Sequence, residues 1–145
     1  YLAIKKTRKK LNRNKTLIGF AGSPWTILVY IINKQSPKKN KIYKEILKDK
    51  KHIKQLLKII EKFIIIHIKE QIKAGADTIQ LFDSWAGLLK QEDLNFFCFQ
   101  PTKRIIKKIK QQYPRISIIC FPKGIGEQIS KFCKITFNHR VSSCF

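Results

Sequence analysis

Apolar residues run along this chain in two rhythms. Three short stretches are dominated by β-branched, aliphatic and aromatic residues: Leu17-Ile18-Gly19-Phe20, Thr78-Ile79-Gln80-Leu81-Phe82 and Ile116-Ser117-Ile118-Ile119-Cys120-Phe121. Each closes on a cluster of Gly, Ser, Pro or Asp, so each reads as a buried strand. Between them the apolar positions recur three and four residues apart. A long helix over Tyr43 to Lys73 collects Ile53, Leu56, Leu57, Ile60, Phe63, Ile64, His67, Ile68 and Ile72 on one side, with Lys54, Lys58, Lys62 and Lys69 in water. Gly75 suits its C-cap. A second helix is predicted from Asp93 to Gln112, closed by Pro114, and a last one begins near Gly126. Tyr1 to Asn14 reads as the end of a basic helix with Leu2, Ile4 and Leu11 inward. Another helix starts at Pro24, a residue accepted in a first helical turn. Lys34 to Lys41 is a polar loop around Ser36-Pro37.

Strand and helix therefore alternate three times, and connections of that length join parallel strands. Parallel strands buried on both faces occur in doubly wound sheets and in eight-fold barrels. Three strands are too few to close a barrel. The expected fold is α/β with parallel strands, and the chain reads as the middle of something larger. In either architecture chemistry gathers in the loops after the strand ends. Here those loops are Ala21 to Trp25, Asp83 to Gly87 and Pro122 to Gly126, which would share one rim, with Lys123 suited to an anion. Thr16 to Asn33 carries no charge, but Gly22-Ser23-Pro24 interrupts it, so a strand and a helix are expected there instead of a membrane span.

Composition narrows the partners. The 145 residues, 43% hydrophobic with 10 Phe, suffice for one core. The chain has no Met and opens on Tyr1, which suggests a processed product or an internal fragment, and no signal peptide is visible. The net charge of +22 points towards polyanions, yet only five of the 31 basic residues are Arg, the residue that nucleic-acid sites favour. Lysines spread over helical stretches read as solvated faces, and the Lys and Ile excess fits an AT-rich genome. Cys98, Cys120, Cys133 and Cys144 lack metal-ligand spacing, so free thiols in a reducing cytoplasm are expected. His52, His67 and His139 are scattered, with His67 read as packing. No phosphate-binding loop or dinucleotide fingerprint occurs.

Against that background three blocks stand out. Gly19-Phe20-Ala21-Gly22-Ser23-Pro24-Trp25-Thr26 followed by Tyr30 closely resembles the signature of the uroporphyrinogen decarboxylase family. Ala74-Gly75-Ala76-Asp77 leading into Gln80-Leu81-Phe82-Asp83-Ser84-Trp85-Ala86-Gly87 is similar to a second block, and Phe121-Pro122-Lys123-Gly124 to a third. The resemblance runs from about Ala3 to Lys131. It implies a TIM barrel, usually a homodimer, that acts in haem and porphyrin biosynthesis, so that this α/β chain would be a partial TIM (β/α)8 barrel of three to four units. Such an enzyme converts the four acetate arms of uroporphyrinogen III to methyls, giving coproporphyrinogen III, with no metal or organic cofactor. It also implies site residues: Tyr30 as the active-site tyrosine, Ser84 contacting a substrate carboxylate, and Phe20 and Phe82 as walls of the cleft. A small tetrapyrrole is the implied partner, with no nucleic acid and no membrane.

The same comparison marks departures. The family's catalytic aspartate and substrate-binding arginines belong to an N-terminal portion not found here, and its C-terminal histidine is not His139. Asn33 and Lys34 depart from the usual residues after Tyr30. Residues 1–131 are expected to be the central part of the barrel, and residues 132–145 a divergent tail lacking the next strand and its Asp-bearing loop. A truncated chain, inactive alone, is the expectation. Two other readings stay open: a cobamide or thiol methyltransferase of the same superfamily, which would need a His-x-Cys zinc pair absent here, and a basic anion- or RNA-binding module whose binding would fall steeply with salt.

Overall fold

In the computed structural model, residues 1–34 and 49–137 are described. The elements are α1 (Leu2–Lys10), β1 (Ile18–Gly22), α2 (Pro24–Asn33), α3 (Lys50–Lys73), β2 (Thr78–Asp83), α4 (Gln91–Leu94), α5 (Gln100–Gln112), β3 (Ser117–Pro122) and α6 (Ile129–Phe137). The expected loop beyond Lys34 and the first residues of the long helix lie outside the described residues.

The three strands form one parallel sheet in the order β1-β2-β3. Ile18 is opposite Thr78, which is opposite Ser117, so the sheet is in register from its first row. Strand order follows chain order without reversal. That single direction of winding is the pattern of a (β/α)8 barrel; a doubly wound sheet reverses at its switch point. The two faces differ sharply. Ala21, Ile79, Leu81, Ile118 and Cys120 are buried in one core with Leu28 and Val29 of α2, Ile64 and Ile68 of α3, and Ile105 and Ile109 of α5. Each of the Leu, Ile and Val side chains among them contributes about 1.5–3 kcal/mol on burial. The alternate positions Ile18, Phe20, Ser117 and Phe121 are exposed. Burial on both faces, expected from the apolar runs, is therefore found on one face only, because the helices of these units all pack on the same side.

Local chemistry explains the elements. Pro24 opens α2, and Lys34, with φ 57°, ends it in the left-handed conformation. Gly75 follows α3 with φ +110°, and a Cβ there would lie 2.8 Å from Cγ of Arg8. Arg8 lies across that turn and pairs with Asp77 at 2.7 Å while donating to the carbonyls of Leu11, Asn12 and Lys15. Through it α1 is held to the start of β2, although α1 buries no residue and the expected inward Leu2 is exposed. Gln71 of α3 reaches β1: its amide oxygen accepts from the Phe20 N–H at 2.9 Å and its nitrogen donates to the Phe20 carbonyl at 2.8 Å. The backbone of an edge strand is thereby satisfied by a side chain.

Asn95–Phe99 form a π-helical turn joining α4 and α5, with the Gln100 N–H donating to the Asn95 carbonyl. Pro101, lacking an N–H, stands just after it and cannot complete the ordinary ladder. The wide turn buries Phe97, Cys98 and Phe99 in succession. On α3 the buried stripe is Leu57, Ile60, Ile64 and Ile68, whereas Phe63 and His67 are exposed. His67 is thus not a packed core residue; its Nδ1 meets the Tyr1 hydroxyl at 2.9 Å. Cys98 and Cys120 are buried free thiols as expected; Cys133 is disulfide-bonded, against the expectation of free thiols throughout. The expected boundary at Lys131 falls inside α6, where Phe132 and Phe137 are buried. Among the described residues no helix is long and apolar enough to cross a membrane.

Candidate active site at the strand rim

Parallel strands deliver their C-terminal ends to one rim, and short backbone bonds hold the loops there. Ser23 N–H donates to the Phe82 carbonyl at 2.8 Å, and Lys123 N–H to the Asp83 carbonyl at 3.0 Å. Gly87 N–H donates to the Lys123 carbonyl at 2.9 Å. A Cβ on Gly87 would sit 2.8 Å from the Gly124 oxygen, so the close approach of these two loops requires glycine at 87, while Gly124 supplies a left-handed φ of +79°.

On the uncovered face, just below this rim, three phenylalanines form a row. The rings of Phe20 and Phe82 are 6.1 Å apart at 76°, and those of Phe82 and Phe121 are 6.4 Å apart at 78°. Phe20 is 64% exposed and Phe121 42%. A T-shaped aromatic row left in water on a sheet face is a surface to be covered. Beside it, along β1, Phe20 also borders an apolar groove of about 500 Å³ with Ile27, Ile31, Phe63 and His67.

A second cluster lies where α2 meets the loop after β2. Ser84 is exposed between Asp83 and Trp85. Thr26, in the first turns of α2, donates from Oγ1 to Asp83 Oδ1 at 2.7 Å and accepts from the Trp85 N–H at 3.4 Å. The Trp25 indole N–H donates to the Trp85 carbonyl at 2.8 Å. One turn along α2, the Tyr30 ring stands 6.2 Å from that of Trp85, at 70°. Tyr30 is 45% exposed. Burial pushes the Asp83 carboxyl up to about 6 from its ordinary 3.8, against the opposing pull of the Thr26 hydroxyl. Its Oδ2 is buried without a hydrogen-bond partner. The neighbouring thiols stay protonated: burial raises Cys98, and burial with the Asp83 charge pushes Cys120 up to about 12.

The four residues expected at the site thus fall into two pairs. Phe20 joins Phe82 on the open sheet face, and Tyr30 joins Trp85 next to Ser84; among the described residues no ring contact links the pairs. Lys123 is exposed on the third loop. Phe121, Thr26, Asp83 and Trp85 were not anticipated as site residues. Phe121 was legible in principle, since it holds the position on β3 that Phe82 holds on β2. No group of three or more His, Cys, Asp or Glu among the described residues is placed to hold a metal ion.

A sequence model of the family described as Uroporphyrinogen decarboxylase (URO-D) matches residues 1–141. The chain belongs to that family. Proteins named uroporphyrinogen decarboxylase from Orientia tsutsugamushi (strain Ikeda) and Rickettsia bellii (strain RML369-C) are 45% identical over 138 residues and 44% identical over 133 residues. The alignments cover 94% and 91% of this chain but only 40% and 39% of those relatives. A third, from Rickettsia felis, is 42% identical over 135 residues. The chain therefore spans about 40% of the length of the uroporphyrinogen decarboxylases it matches. Within that span the blocks that resemble the family are β1 with α2, β2 with its loop, and the end of β3, which together build the rim.

Proposed function

We propose that this chain supplies part of the tetrapyrrole-binding wall of a uroporphyrinogen decarboxylase. The observation that carries the proposal is the Phe20-Phe82-Phe121 row, exposed on the face of a singly wound sheet below loops bearing Ser84 and Lys123. Aromatic edges and faces suit the flat pyrrole rings. The Ser84 hydroxyl donates to a carboxylate arm, and the Lys123 ammonium balances a second. The Tyr30 hydroxyl, near the same loop, orients a carboxylate.

The reaction follows from the substrate. Protonating a pyrrole carbon makes the ring an electron sink. The bond from the acetate methylene to its carboxylate then breaks, its electron pair enters the ring and carbon dioxide leaves; a proton is delivered to the methylene to give a methyl group, and the proton first added to the ring carbon is lost, which restores the pyrrole. A carboxylate facing the pyrrole N–H groups stabilises the positive charge that develops. Asp83 is not that group, because it is fully enclosed and already accepts from Thr26. The resemblance extends the proposal to a homodimeric, cytoplasmic enzyme that needs no metal or organic cofactor.

Quenching of the chain's tryptophan emission by uroporphyrin, the stable oxidised form of the substrate ring system, tests the reading. Saturable quenching is expected, with competition from coproporphyrin. Quenching that rises linearly without saturation would overturn it.

A further inference from the structure

Resting on the proposed tetrapyrrole site, we infer that Asp83 is a positioning residue, acting through Thr26 to fix the loop that presents Ser84 and the helix that presents Tyr30. The geometry is specific. The Thr26 hydroxyl spans Ser84, because it donates to Asp83 on one side and accepts from the Trp85 N–H on the other. Thr26 and Tyr30 are four residues apart on α2 and so share one face of that helix. Whatever fixes the Thr26 side chain therefore fixes the rotation of α2 that brings Tyr30 against Trp85. The indole bond from Trp25 to the Trp85 carbonyl closes the frame.

A carboxylate suits this post because, once ionised, it can only accept. The single Thr26 proton is then committed to Asp83, which leaves the hydroxyl lone pairs for Trp85. The groups that face Asp83 are the Thr26 hydroxyl from α2, the Cys98 thiol from the π-helical turn and the Cys120 thiol from β3. Both thiols remain neutral, so Asp83 alone in this pocket changes charge, at a pH near 6. No step of the proposed reaction uses this buried acid.

Both tryptophans of the chain, Trp25 and Trp85, belong to the frame, so their emission reports on it directly. In the unliganded protein a step in emission centred near pH 6 is expected. Thr26→Ser keeps the hydroxyl and should keep the step. Thr26→Val should lose it, as should Asp83→Asn, while circular dichroism stays unchanged. The Val variant should also bind uroporphyrin about tenfold more weakly, the loss expected for a hydrogen bond to a charged group, with the Ser variant restored to wild-type affinity. A wild-type protein without the step, or a full-sized step in either the Val or the Asn variant, would overturn the inference. If the step and its losses appear but uroporphyrin does not bind, the positioning frame stands and the tetrapyrrole assignment falls.

Discussion

At the scale of single residues, two kinds of side chain carry the account. The outer phenylalanines of the row, Phe20 and Phe121, are exposed and contribute little to the core, and Phe82 between them is half-buried. Phe121→Ser should leave the melting temperature within a degree or two while weakening uroporphyrin binding about tenfold, consistent with the loss of one buried aromatic contact; parallel melting and quenching curves check both halves. Asp83 is the opposite case. Its folded-state value near 6 lies above the ordinary 3.8, so the native protein holds this proton more tightly than the unfolded chain. The associated stability is complete below about pH 4 and is lost as pH rises through about 6, a difference of about 3 kcal/mol. Asp83→Asn should therefore be more stable than wild type at pH 8 and nearly equal to it at pH 4, as measured by urea unfolding at the two values. Tyr30, Ser84, Phe20 and Phe82 could be named beforehand from the motif blocks. The Thr26–Asp83 bond could not, because it joins residues 57 positions apart and no local pattern announces it.

At the scale of elements, the edge strand is held by something outside its own pairing. β1 is an edge strand whose Phe20 N–H and carbonyl are both served by Gln71. Replacing Gln71 with Leu removes both partners and should lower stability by about 2–4 kcal/mol, with a rise in aggregation, measured by denaturant unfolding and light scattering. Gly87→Ala should unsettle the contact between the loops after β2 and β3, because its Cβ would meet backbone atoms of Gly124. The alternation of strands and helices was legible because it is a local period. Two features were not. The wide turn at Asn95–Phe99 carries no periodic signal; Pro101 alone hints at it. The open face of the sheet was hidden because Ile18, Phe20 and Phe121 look like core residues in a one-dimensional pattern, whichever way they face. The same ambiguity placed Phe63 and His67 inside, although the buried stripe of α3 passes beside them.

At the scale of the whole molecule, three consecutive β/α units build a sheet with helices on one side and an aromatic row on the other. Chain order, parallel register and one-sided packing are those of a barrel segment, and the family match over residues 1–141 is in keeping with that. The net charge of +22 plays a general part: it favours approach of a polycarboxylate from any direction. Raising salt should slow that approach, yet it should weaken uroporphyrin binding only modestly if aromatic contact dominates. The central claim is that the open strand face receives the tetrapyrrole. Ring-current shifts test it most directly: in the aromatic NMR spectrum of the selectively labelled chain, uroporphyrin should shift Phe20, Phe82 and Phe121 together and saturably while Phe97, Phe99 and Phe132, enclosed in the core, hold still. Shifts confined to the core phenylalanines or absent from the row would contradict the claim.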